Sequence, residues 1–209
     1  MKGISFLLSV LIVLGTVVCN AETIGEAKQN SVSNDTVSVT TGDYYKYVES
    51  CKSNNADKEI SVSISDFSSE NATVAFENDA VNWKDGTGSV SFNVDIPDNA
   101  LYSLQVVWKP VESGIDPQIG IKIDSAFPFS SAQRISLKRE WKNASEAPRT
   151  DSAGNEYAQE QVETGEFITS VLQDFTGVVT VPYSFEFTKG VHTITLVNPE
   201  QPIIIKEIS

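Results

Sequence analysis

The chain is poor in the side chains that do most enzymatic chemistry: one histidine, one methionine and two cysteines in 209 residues. A single histidine leaves no Ser/His/Asp or Cys/His arrangement unless His192 is the base. His192 falls inside an alternating pattern beside Thr193 and reads as a half-exposed strand residue. No HExxH, CxxC, phosphate-cradling glycine loop or EF-hand spacing is present. Cations are scarce as well, 15 Lys plus Arg against 28 Asp plus Glu, for a formal net charge of −13. Nucleic acid is excluded as a partner on that balance, because phosphate contacts are made by Lys and Arg. A carboxylate pair for glycoside hydrolysis stays open among so many acids, since the roughly 5–9.5 Å it needs is a distance in space rather than along the chain. Nothing in the sequence marks such a pair.

The cysteines say where the chain works. Met1 to Ala21 carries Lys2, an apolar run from Ile4 to Val18 and small residues at its end, the layout of a secretory signal peptide. Cleavage after Ala21 fits the small Cys19 and Ala21. Lipidation of Cys19 is the alternative, weighed against by the bulky Val18 before it. After cleavage Cys51 is the one cysteine left, so no intrachain disulfide forms. Export without a disulfide points to a bacterial protein, secreted or held at the cell surface, with no membrane insertion once the signal is gone.

Residues 22–41 are rich in Ser, Thr, Asn and Glu without apolar period and are expected to be a disordered tether. Residues 42–56 are expected to hold a short helix and linker, with Tyr44, Tyr47, Val48 and Cys51 spaced along one helical face. Residues 57–209 form the folded domain, all-β by pattern. In Ser89–Ile96 the apolar Val90, Phe92, Val94 and Ile96 alternate with polar residues, and Tyr102, Leu104, Val106 and Trp108 resume the alternation after a turn at Pro97-Asp98-Asn99. The two read as an antiparallel pair, with Ile119, Ile121 and Ile123 on a third strand. Further strands are expected at 59–67, 74–76, 81–83, 134–141, 183–187, 192–197 and 203–208, the 183–187 and 192–197 segments as a hairpin through Lys189-Gly190. A short helix is expected over 167–175, from Phe167, Val171 and Leu172. Residues 142–166 are polar and aperiodic, a long loop, and loops of that length are more often functional than idle. The apolar 203–208 run stops at Ser209, which suits a chain that continues into a longer protein.

With catalytic motifs missing, the informative residues are aromatics and planar polar groups near that loop. A sugar ring presents an apolar C–H face and a rim of hydroxyls, so its site needs an exposed aromatic platform beside groups that hydrogen-bond in two directions. Trp141 is the expected platform, with Arg139, Asp151, Asn155 and Gln161 as polar candidates and Tyr157 as a second aromatic. The alternative has Trp141 capping the core edge while Arg139 and Asp151 pair to pin the loop. Trp108, in phase with Leu104 and Val106, is expected in the core, and so is Trp83.

Several pieces resemble a known family in their order and spacing: Ala56-Asp57-Lys58-Glu59-Ile60, Gly88-Ser89-Val90-Ser91-Phe92, Leu101-Tyr102-Ser103-Leu104 through Trp108-Lys109-Pro110, Ile121-Lys122-Ile123-Asp124, Pro128-Phe129, Arg139-Glu140-Trp141-Lys142, Asp151-Ser152-Ala153-Gly154-Asn155, Gln161-Val162-Glu163 and Gly190-Val191-His192-Thr193-Ile194. From about Asp57 to Ile208 the chain is similar to the N-terminal β-sandwich domain of large extracellular solute-binding proteins of Gram-positive bacteria, a domain related to galactose-binding-like jelly rolls and carbohydrate-binding modules. The resemblance implies a jelly-roll sandwich whose loops bind a glycan or oligosaccharide without catalysis, ahead of a two-lobed solute-binding domain of a sugar importer. Two departures stand out. Ser125-Ala126 replaces a Gly-acid turn, and Ser61 and Ser63 stand where calcium-binding relatives carry glutamates, which argues against a structural calcium there. No cofactor is expected. A structural domain that packs on a protein partner and binds no sugar is the competing function.

Overall fold

The computed structural model describes residues 44–111 and 114–209, all within one compact unit. The expected signal peptide and tether lie outside the described residues. The chain opens with α1 (Tyr44–Ser50) and continues through β1 (Phe67–Glu70), β2 (Val74–Glu77), β3 (Ala80–Trp83), β4 (Ser89–Ile96), β5 (Ala100–Ser103), β6 (Gln105–Pro110), β7 (Gln118–Ile123) and β8 (Ile135–Ser136). Then follow β9 (Trp141–Asn143), β10 (Arg149–Thr150), β11 (Glu156–Tyr157), β12 (Gln161–Glu163), β13 (Ile168–Val171), β14 (Ser184–Phe187), β15 (Gly190–Val197) and β16 (Ile203–Ile208).

Two five-stranded sheets, β1-β4-β15-β7-β8 and β13-β6-β16-β3-β2, form the jelly-roll β-sandwich, and β14-β5 is a separate two-stranded sheet. Every ladder between these strands is antiparallel. Period-two alternation drives the packing: Val90, Phe92, Val94 and Ile96 of β4 and Ile194 and Leu196 of β15 are buried on one side, facing Val106 and Trp108 of β6 and Ile203 and Ile205 of β16. Trp83 and Trp108 are fully buried, as their phase requires. Each keeps its indole N–H satisfied, Trp83 on the carbonyl of Thr87 at 2.8 Å and Trp108 on Ser170 Oγ at 2.9 Å. Without those acceptors each burial would leave a polar group unpaired, at about 1–3 kcal/mol. The face of α1 predicted from its spacing packs inward, Tyr44 meeting Phe129 and Tyr183 edge-on at 5.0 and 4.9 Å.

Several expected pairings are not made. β4 and β6 belong to different sheets, so the turn at residues 97–99 carries the chain across the sandwich rather than closing a hairpin. The same holds for 183–187 and 192–197: both are extended, but β14 pairs with β5 and β15 with β4 and β7. Residues 59–63 are not a strand. They run as a strap over the end of the sandwich, held by Val62 N–H on the carbonyl of Ile208 at 2.9 Å, and β1 starts only at Phe67. The 134–141 segment is a strand only at residues 135–136 and again from Trp141. Residues 167–175 are not helical: Ile168–Val171 is a strand paired with β6. The β2–β3 hairpin turns through Asn78 and Asp79, both at positive φ, 54° and 55°, the conformation a type I′ turn needs. Gly86 and Gly88 sit at φ 62° and 72° against the backbones of Gln201 and Asn71, where no side chain fits.

Candidate functional site

The supposed long loop is a β-arm. β9 pairs with β12, Trp141 opposite Glu163, Lys142 opposite Val162 and Asn143 opposite Gln161. The ladder continues through Ala144 N–H on the carbonyl of Glu160 at 2.8 Å and resumes as β10-β11, Arg149 opposite Tyr157. From Glu140 to Gln161 every residue except Gln159 is exposed. Both faces are wet, so no hydrophobic alternation announced the arm. Its tip is a turn at Asp151 to Asn155, with Gly154 at φ 86° in open space. Asp151 Oδ1 accepts from the N–H groups of Ala153 and Asn155, and Oδ2 from Asn155 Nδ2, each at 2.9 Å. The bonds from Asn155 hold the Asp151 carboxyl below the usual carboxylate range.

At the root stands Arg139, whose side chain is 1% exposed. Its Nη1 donates to both carboxylate oxygens of Glu163 at 2.9 Å, its Nη2 to Gln201 Oε1 at 2.6 Å and its Nε to the carbonyl of Ile115 at 2.9 Å. Its backbone N–H donates to Asp116 Oδ1 at 3.1 Å. Burial pulls Asp116 upward, but the Lys138 bond, the Arg139 N–H and the two cations outweigh it and keep the carboxyl below its ordinary value. One guanidinium thereby ties the Ile115 and Gln201 segments to the base of the arm. The pairing of Arg139 with Asp151 is not found. Arg139 lies inside the root and its partner is Glu163.

Trp141, two residues along, is not capping the core: it is 51% exposed. The ladder register puts Trp141, Asn143, Gln161 and Glu163 on one face of the arm. Gln161 Nε2 bonds Asn143 Oδ1, which leaves an exposed indole beside a linked pair of amides. Tyr157, 49% exposed, lies farther out with the Arg149 guanidinium 4.9 Å over its ring. Of the six residues singled out from sequence, Trp141 and Gln161 therefore share a face, Tyr157 stands apart toward the tip, Asp151 and Asn155 build the tip turn, and Arg139 is withdrawn. Asn143 was missed. Its place opposite Gln161 becomes visible only with the arm's register.

Elsewhere polar groups are engaged structurally. His192 Nδ1 is 2.6 Å from Asp124 Oδ2 and Nε2 is 2.8 Å from the carbonyl of Thr188. Among the described residues no cluster of three or more His, Cys, Asp or Glu is placed to hold a metal ion, and no helix is long and apolar enough to cross a membrane.

No family model matches the chain, and no curated protein matches it. Among solved structures it is similar to a family 35 carbohydrate binding module from Clostridium thermocellum, at 10% identity and TM-score 0.44, over 71% of this chain and 94% of that one. A family 35 module from an environmental isolate is similar at 7% identity and TM-score 0.41, over 72% and 91%. An exo-beta-1,3-galactanase from Phanerochaete chrysosporium is similar at 11% identity and TM-score 0.36, over 67% of this chain and 26% of that one. At this level of likeness, function has to come from the residues of the site.

Proposed function

We propose that the chain is a non-catalytic carbohydrate-binding module whose site is the Trp141 face of the arm. The observation that carries this reading is an indole half exposed on a rigidly rooted ribbon, flanked by the amides of Asn143 and Gln161. The indole supplies an apolar platform for a pyranose C–H face; with Gln161 Nε2 given to Asn143 Oδ1 and the Gln159 carbonyl, Asn143 Nδ2 offers the donors and Gln161 Oε1 an acceptor to adjacent hydroxyls. Tyr157, exposed farther out toward the tip, offers a second aromatic to a ligand longer than a single ring. Export and attachment ahead of an importer's solute-binding domain belong to the same reading through the sequence resemblance. The test is a glycan-array screen of the purified protein against its Trp141→Ala variant. We expect binding to at least one oligosaccharide class and its loss in the variant with the unfolding midpoint unchanged, since an exposed side chain contributes within about 0.5 kcal/mol to stability. Equal binding by both proteins, or none by a folded wild type, overturns the assignment.

A further inference from the structure

We infer that the Trp141 face takes uncharged glycans and rejects anionic ones, uronates above all, because the arm carrying it is negatively charged and turns no cation toward the ligand. The inference rests on the glycan reading above and narrows it to a ligand class.

The charge balance is set residue by residue. Between Glu140 and Gln161 the arm exposes five carboxylates, Glu140, Glu146, Asp151, Glu156 and Glu160, against two cations, Lys142 and Arg149. A surplus of three negative charges thus sits on the ribbon, in a chain whose formal charge is already −13. Asp151 is bonded within the tip turn, but its donors are uncharged amides and leave its charge in place. Residues along a strand are about 3.3 Å apart and paired strands about 4.8 Å. Glu140, next to Trp141, and Glu160, next to Gln161, therefore lie within the ~10 Å over which charges act at 0.1 M salt.

Neither cation serves the face. Lys142 stands opposite Val162, and alternation turns it to the side away from Trp141. Arg149 lies out at Tyr157, its guanidinium 4.9 Å over that ring. Arg139, two residues before the indole, has a side chain only 1% exposed and a charge matched by Glu163, the residue across from Trp141. What the face presents, the indole, Asn143 Nδ2 and Gln161 Oε1, is uncharged. Such groups satisfy hydroxyls. A carboxylate on the sugar gains no bond to a cation there, the kind that would hold it most strongly, and it meets the surplus on the arm.

The test arrays four neutral hexaoses, cello-, manno-, malto- and galactohexaose, each beside the hexauronate made by oxidising its C6 hydroxyls to carboxylates. Each pair keeps its linkages and ring faces and differs only at C6. We expect every hexaose the protein binds to be held at least about tenfold more tightly than its hexauronate at about 0.01 M salt, where the screening length is about 30 Å. The gap should close to about threefold or less at about 1 M, where that length is about 3 Å. Combining Glu146→Gln, Glu156→Gln and Glu160→Gln cancels the surplus at exposed positions outside the site. That variant should bind the neutral hexaoses as before and its hexauronates about fivefold more tightly than the wild type does at low salt. A hexauronate bound as tightly as its parent, one bound only when millimolar calcium is added, or a gap that neither salt nor the variant moves overturns the charge filter while the glycan site stands. If no neutral hexaose is bound the inference falls, and the wider glycan array decides the glycan reading separately.

Discussion

Arg139 and Trp141 show how two residues of one short motif come to opposite fates. Both look like binding side chains in the sequence, an aromatic and a bidentate donor two positions apart. The fold turns the arginine inward onto Glu163, Gln201 and Ile115 and leaves the indole in water. Nothing local dictates this, since the carboxylate that claims Arg139 comes from the returning strand of the arm, 24 residues along the chain. The buried pair is costly to break from one side: Arg139→Met takes the guanidinium from the largely buried Glu163 and should destabilise the protein by about 3 kcal/mol. Chemical denaturation would measure that loss, and adding Glu163→Gln should recover part of it. If the single variant is as stable as the wild type, the arm root is not held by this pair.

At the scale of elements, the arm and the loop after β13 each make a claim. Replacing residues 144–160 with a short Gly/Ser turn removes ribbon that is exposed except at Gln159, so the unfolding midpoint should stay within a few degrees while glycan binding falls. A large drop in the midpoint would make the arm part of the fold's core. In the 174–179 loop, Asp174 accepts from Val179 N–H at 2.9 Å and Thr176 N–H at 2.8 Å, with Thr176 Oγ1 and Val178 N–H adding two more donors. These bonds, led by that from Val179, lower the carboxyl to about 2. A depressed carboxylate stabilises the loop fully above its unfolded pKa, near 3.9, and the contribution fades as pH falls toward 2. The Val178 and Val179 amides should therefore keep their protection at pH 5 and lose it between about pH 4 and 2, as read by amide chemical shifts. Protection unchanged at pH 2 would remove Asp174 from that role.

Strand identity was legible in the sequence where one face is buried, as in Ser89–Ile96, Tyr102–Trp108 and Ile119–Ile123. Partnership was not, because alternation reports which face is wet and says nothing about the neighbour. A tight turn such as Pro97-Asp98-Asn99 serves a sheet-to-sheet crossing as well as a hairpin. The helix expected at 167–175 arose from Phe167, Val171 and Leu172, yet the deeply buried residues are Ile168 and Leu172, with Ser170 between them bonded to Trp108, a strand's parity. Ile60, Val62 and Ile64 alternate like a strand, but in the ladder they would join, Ile208 gives its carbonyl to Val62 alone and the chain passes over the end instead. The candidate site was half legible. Trp141 and Gln161 carry their chemistry in their side chains, whereas Asn143 gains its place only from pairing across the arm.

For the molecule as a whole, the sandwich is the base and the exposed arm extends from it. Three tryptophans divide cleanly between those parts: Trp83 and Trp108 are buried and bonded, Trp141 is exposed. Each contributes one indole N–H resonance to a ¹⁵N spectrum, so the spectrum separates base from arm without mutation. The most direct test is to titrate the best oligosaccharide from the array and follow the three signals. The Trp141 indole should move and saturate while the other two stay fixed. Saturable binding that leaves Trp141 unmoved, or that shifts Trp83 or Trp108 instead, would place the glycan elsewhere and contradict the Trp141 assignment.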